Sequence, residues 1–126
     1  MRSLFKRRKR VLLLDDDPSM QRLVAHILQG DGFRVDVFLT GSQAIAALKR
    51  ERYDVLLLDL MMPHEGGMTV IRHLRENDPP MLKRSILLTA SPDSLIDALS
   101  GEVENVVQKP FPPQQLIDSV RRLSGS

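Results

Sequence analysis

Tyr53-Asp-Val-Leu-Leu-Leu-Asp-Leu-Met-Met-Pro63 decides the fold. Its apolar run, placed as a strand over residues 54–58, is bounded by turn formers and reads as buried on both faces, the kind found in parallel sheets. Asp59 stands at the C-terminal lip of that strand. Open α/β sheets bind ligands outside the carboxyl ends of their strands, so position makes Asp59 a candidate reactive group. An Asp ahead of a Pro-bearing loop is also ordinary turn chemistry, and the stretch alone does not separate the two readings.

Four more strands flank it. Val11–Leu14 is apolar and runs into Asp15, Asp16 and Asp17. Pro18 then suits the first turn of a helix capped by Asp17, with Met20, Leu23, Val24, Ile27 and Leu28 at helical spacing until Gly30. Phe33–Phe38 alternates as a second strand, and Thr40 or Ser42 caps a helix that turns Ala44, Ile45, Ala47 and Leu48 inward and ends in a solvated tail over residues 49–52. Beyond Asp59, Gly66 and Gly67 suggest positive φ at the mouth of a helix with Val70, Ile71 and Leu74 inside. Asn77-Asp-Pro-Pro80 stops it. Ser85–Thr89 is the fourth strand, Ser91-Pro92 starts a short helix ending near Gly101, and Glu104–Gln108 is the fifth strand, ending at Lys109-Pro110. Pro112 and Pro113 open a last helix with Leu116, Ile117, Val120 and Leu123 inward. Strands alternating with helices in this way predict a (βα)5 doubly wound α/β domain, a parallel sheet covered on both faces.

The 126 residues suffice for one domain with one sizeable core. The absence of Cys excludes a disulfide framework and thiolate metal sites and suits a reducing cytoplasm. His26, His64 and His73 show no ligand spacing, which argues against zinc. Six of the 18 basic residues, Arg2, Lys6, Arg7, Arg8, Lys9 and Arg10, fall in the first ten positions, leaving 12 basic against 16 acidic side chains, or −4, in the rest. Residues 1–9 therefore read as a frayed, solvated basic arm, 10–123 as the domain and 124–126 as a tail. Such an arm has the charge to touch nucleic acid or an anionic membrane. Val11–Leu14 is too short for the core of a signal peptide, and no window approaches the ~18 apolar residues of a transmembrane segment.

Parallel strands bring their carboxyl ends to one edge, so Asp15, Asp16, Asp59, Thr89 and Lys109 converge there. Crowded carboxylates repel one another unless a cation neutralises them, and oxygen-only ligands suit Mg²⁺. A hydroxyl and an ammonium opposite the ion complete a cradle for phosphoryl oxygens, which is equipment for phosphoryl transfer onto a carboxylate.

Over residues 10 to 123 the chain resembles the receiver domain of two-component response regulators, in its single-domain chemotaxis-regulator form. The resemblance is carried by Val11-Leu-Leu-Leu-Asp-Asp-Asp-Pro18, Leu58-Asp-Leu-Met-Met-Pro63 with Gly67, Leu88-Thr-Ala90 and Lys109-Pro-Phe111. It implies a flavodoxin-like sheet of order 2-1-3-4-5 with Asp59 as phosphoacceptor, fed by a phosphohistidine on a histidine kinase or phosphotransfer protein. Asp16 and Asp59 would then hold Mg²⁺ directly, Asp15 through a bound water, and Met61 through its backbone carbonyl. Lys109 would pair with Asp59 and then with a phosphoryl oxygen, Thr89 would hydrogen-bond that group, and the Lys109–Pro110 bond would be cis.

The implied output is a change in partner binding, with a downstream target on the surface of the fourth helix, fifth strand and fifth helix, and a homodimer on phosphorylation as an outcome to test. Such a chain is a cytoplasmic signalling module that assists its own phosphorylation and dephosphorylation, not an enzyme, and it carries no DNA-binding domain. The sequence departs from the family at Val106, where an aromatic residue is usual three positions before the lysine, and at Gly66, where an acid is common. A receiver-like scaffold that is not phosphorylated and an N-terminal receiver excised from a longer regulator are the alternatives. A hydrolase using Asp59 would want an acid/base Asp where Met61 stands.

Overall fold

The structure, a computed structural model, describes residues 8–62, 66–90, 102, 103 and 105–125. The predicted helix from Ser91 to Gly101, His64 and Glu65 of the mouth loop, the first seven residues of the basic arm and Ser126 lie outside the described residues. The elements are β1 (Arg10–Leu14), α1 (Pro18–Gly30), β2 (Arg34–Phe38), α2 (Gly41–Arg50), β3 (Val55–Asp59), α3 (Gly67–Asn77), a 3-10 turn (Pro79–Arg84), β4 (Ser85–Thr89), β5 (Asn105–Gln108) and a C-terminal helix (Pro113–Ser124). All pairings are parallel, in the order β2-β1-β3-β4-β5.

The uninterrupted apolar runs of β1, β3 and β4 reflect a sheet with two buried faces, because a strand sends successive side chains to opposite sides. Leu12, Leu14, Leu56, Leu58 and Leu87 meet Ala44, Ala47, Val70, Ile71 and Leu74 of α2 and α3. Val11, Leu13, Val55, Leu57, Ile86 and Leu88 meet Val24 and Leu28 of α1 and Leu116 and Val120 of the C-terminal helix. Each fully buried side chain of this size contributes about 1.5–3 kcal/mol of transfer free energy. Register then fixes where the strands stop: Leu14 lies beside Leu58, Asp59 beside Leu88 and Thr89 beside Gln108, so the residues just past these ends emerge at one edge.

Local signals act as expected at the helix starts. Asp17 accepts a hydrogen bond from the Ser19 N–H at 3.0 Å, with Pro18 in the first turn. Between the two candidate caps of α2 it is Thr40 that serves, its Oγ1 accepting from the Gln43 N–H at 3.2 Å. Asn77 does end α3, but Pro79 and Pro80 open a 3-10 turn whose Leu82 is buried.

Two expectations are corrected. Gly66 has φ −105° and Gly67 is helical, so neither supplies positive φ. The requirement is steric: a Cβ on Gly67 would stand 2.9 Å from the Asp59 carbonyl oxygen and 2.9 Å from Leu60 Cδ2. The Asp59 carbonyl is backbone and cannot swing aside as the Leu60 side-chain tip can, and Leu58 Cβ would stand at 3.2 Å. Gly67→Ala is expected to cost about 1–3 kcal/mol through overpacking, read as a lower denaturation midpoint at unchanged slope.

The second correction concerns Arg10, whose place in the basic run suggested a solvated side chain. It is only 7% exposed and opens β1. Its guanidinium lies 2.8 Å from Asp36 and 2.8 Å from Glu51, and 4.9 Å from the centre of the Tyr53 ring. Its backbone N–H donates to Asp54 Oδ2 at 2.7 Å, and the Tyr53 hydroxyl donates to Asp36 at 2.7 Å. Glu51, expected in a solvated helix tail, is thereby tied to the sheet.

Candidate functional site

β1 ends at Leu14, and the chain turns at once into Asp15 and Asp16. Asp15 is fully buried, Asp16 exposed and Asp59, the last residue of β3, 4% exposed. One carboxylate oxygen from each falls within 4.8 Å of the others. Lys109, directly after β5, places Nζ 3.2 Å from Asp15 Oδ2 and 3.4 Å from Asp59 Oδ2. The lysine thus bridges two carboxylates and approaches Asp15 slightly more closely than the Asp59 partner that the resemblance implied. Its peptide bond to Pro110 is cis.

Backbone hydrogen bonds hold these ends in place. The Lys109 N–H donates to the Thr89 carbonyl at 2.9 Å, the Leu60 N–H to the Leu88 carbonyl at 3.2 Å, and the Asp15 N–H to the Phe38 carbonyl at 3.2 Å. Thr89, the last residue of β4, is 1% exposed at the same edge. Met61 donates its N–H to Asp59 Oδ1 at 2.8 Å, and its side chain is 55% exposed. Val106, paired with Leu87, is half-buried against the α2–α3 side of the core.

Two contacts escaped the sequence reading. Gln21 Nε2 donates to the Asp15 carbonyl at 2.6 Å, and the Asp17 N–H donates to Asp15 Oδ1 at 2.9 Å. Gln21 sits one turn into a helix whose cap was legible, which brings it back over the strand end and was the available signal.

Burial drives the Asp15 carboxyl above its ordinary value; the Asp17 N–H and the Lys109 ammonium pull it down, and neighbouring Asp59 adds to the rise. A raised folded pKa means that the folded chain holds the extra proton in the window between the ordinary value, about 3.9, and the raised one. Stability therefore falls as pH rises through that window. Three carboxylates against one ammonium leave the edge two negative charges in excess, and the donors are all oxygen. A hard divalent cation that keeps several waters fits this set, and Mg²⁺ is the usual such ion.

A parallel sheet of this order, with acidic side chains gathered at the carboxyl ends of its strands, defines a flavodoxin-like α/β domain. The chain matches the response regulator receiver domain over residues 11–121, and it belongs to that family, the receivers of two-component signalling. Among full-length relatives it is 38% identical over 116 residues to the DNA-binding response regulator MtrA of Mycolicibacterium smegmatis, covering 90% of this chain and 50% of that one. It is 36% identical over 117 residues to the transcriptional regulatory protein TrcR of Mycobacterium tuberculosis, covering 90% and 44%. The chain spans about half the length of the curated relatives it matches.

Two solved structures are similar throughout. The chemotaxis response regulator CheY4 of Vibrio cholerae has a TM-score of 0.81 at 27% identity, covering 93% of this chain and 99% of that one. The receiver domain of the sensor histidine kinase PA1611 of Pseudomonas aeruginosa has a TM-score of 0.83 at 28% identity, covering 95% and 100%, and was solved with a magnesium ion in its active-site cleft. Among the described residues, no helix is long and apolar enough to cross a membrane.

Proposed function

We propose that this receiver is phosphorylated on Asp59 by a phosphohistidine of a histidine kinase or phosphotransfer protein, and that the modified domain changes its binding to a downstream protein. The observation that carries this reading is the Lys109 ammonium set between Asp15 and Asp59, beside three carboxylates whose oxygens lie within 4.8 Å. Asp15, Asp16 and Asp59 and the Met61 carbonyl would hold Mg²⁺. When bound, the ion offsets the carboxylate charge and favours approach of an anionic phosphoryl group.

A carboxylate oxygen of Asp59 attacks phosphorus. The P–N bond of the donor breaks with its electron pair returning to the imidazole, and a P–O bond to Asp59 forms. Lys109 and the Thr89 hydroxyl take phosphoryl oxygens, stabilising charge as it moves. The product carries roughly −1.5 to −2 charges at one strand end, enough to bias a two-state element. The domain assignment of arm, receiver and tail, a cytoplasmic location, and a target on the surface around β5 and the C-terminal helix complete the reading. A receiver-like scaffold without phosphorylation is the second reading, favoured by the aliphatic Val106.

Incubation with Mg²⁺ and acetyl phosphate followed by intact mass tests the two. One phosphoryl group is expected; no adduct, under conditions that label another receiver, selects the scaffold. Mg²⁺ alone is also expected to raise Tm. At a hundredfold excess over Kd the stabilisation is about 2.7 kcal/mol, and Asp16→Asn should remove most of it; a Tm indifferent to Mg²⁺ in the parent contradicts the proposed cation site.

A further inference from the structure

The edge opposite the carboxylates is basic. Parallel strands all begin there, and the helices that return between them end there. Lys9 immediately precedes β1, Arg34 opens β2, Arg52 lies three residues before β3, and Lys83 and Arg84 lead into β4. In the order β2-β1-β3-β4, with neighbouring strands about 4.8 Å apart, these cations form a row roughly 14 Å long. Lys49 and Arg50, the last residues of α2, widen the row into a patch.

The Arg10 guanidinium takes up the carboxylates of Asp36 and Glu51, and its backbone N–H donates to Asp54, so these acids are engaged; Glu76 and Asp78 at the end of α3 stand at the same edge and leave the cations in the majority. Lys9, Arg52, Lys83 and Arg84 form no ion pair among the described residues, and the pairing of Arg34 with Asp36 is long at 3.6 Å. Two open cavities of about 490 and 280 Å³ share Arg52, and the smaller is lined by Arg8, Lys9, Arg52 and Asp54.

We propose that this basic edge docks the domain on an anionic phospholipid surface, with a headgroup phosphate in the smaller cavity. Several features favour a membrane over nucleic acid. The cations spread over a broad sheet edge, as a plane of headgroups requires. The Arg34 N–H donates to the Lys9 carbonyl at 2.9 Å, fixing the entry of the chain at this edge. The sequence ahead of it, Met1-Arg-Ser-Leu-Phe-Lys-Arg7, brings three more cations together with Leu4 and Phe5, which a bilayer interface accommodates and a phosphodiester backbone does not.

Sedimentation of the full chain with vesicles tests the proposal. Binding is expected to vesicles of phosphatidylcholine mixed with phosphatidylglycerol and not to phosphatidylcholine alone, and to fall at least about tenfold between roughly 0.1 and 0.5 M salt. Arg52→Glu with Lys83→Glu should weaken it at least about tenfold with unchanged Tm, since neither side chain has an ion pair to lose; Lys49→Glu with Arg50→Glu is an independent second pair. Binding that ignores lipid charge, binding unchanged in both pairs, no binding, or tighter binding to a DNA duplex at equal phosphate concentration would each overturn the proposal.

Discussion

Asp59→Asn is expected to leave the chain unlabelled by acetyl phosphate and Mg²⁺, under conditions in which the parent is expected to gain one phosphoryl group. An amide of the same shape keeps an oxygen at the end of β3 and can still accept the Met61 N–H, so the fold should survive. What it lacks is the anionic oxygen that would form the new P–O bond in the proposed reaction, and labelling should drop to background. The variant also relieves the crowding of three carboxylates, so without Mg²⁺ its Tm is expected to equal or exceed that of the parent. The pair of readouts separates chemistry from misfolding. Labelling that persists would move the acceptor to exposed Asp16, because Asp15 has no surface in contact with solvent.

Arg10→Leu is expected to destabilise the domain by about 2–3 kcal/mol, on the order of 10 °C in Tm. The figure sits below that for fully buried pairs because the side chains of Asp36 and Glu51 are 23% and 43% exposed and partly screened. Arg8→Leu, two residues earlier and exposed, should move stability by less than about 0.5 kcal/mol. The pH dependence has a definite sign. Burial tends to raise the Asp36 carboxyl, but hydrogen bonds from Tyr53 and Arg10 outweigh it and hold the group below its ordinary value. A depressed carboxyl contributes stability above the unfolded value, about 3.9, and loses it as pH falls through the folded one. The gap between parent and Arg10→Leu should therefore narrow below about pH 4; a gap constant down to the acid transition would assign the loss to packing alone.

The contrast between Asp59 and Arg10 shows what the sequence makes legible. Asp15 and Asp59 directly succeed an apolar run, Asp16 and Lys109 stand one residue further on, and parallel strands bring run ends together whatever the loops do. The convergence was therefore readable from local pattern. Arg10 looked like one more charge in a basic run, because its partners Asp36, Glu51 and Asp54 lie 26, 41 and 44 residues away. Only strand register puts them side by side. Gly67 failed differently: glycine has two uses, left-handed backbone and close approach, and composition does not say which. The 3-10 turn at Pro79 was hidden because two prolines signal the end of a helix without specifying the conformation of the next segment.

The opposed edges give the domain an electrical polarity along its strands, with a surplus of acids at one end and of cations at the other. A protein diffusing toward it meets that polarity before it meets any side chain. If Asp59 is the acceptor, a donor with a positive face would be turned toward it and away from the other end, and the gain would fade as added salt shortens the reach of the field. Orientation, and with it part of the choice of visitor, is thus decided at long range by where the strands begin and end.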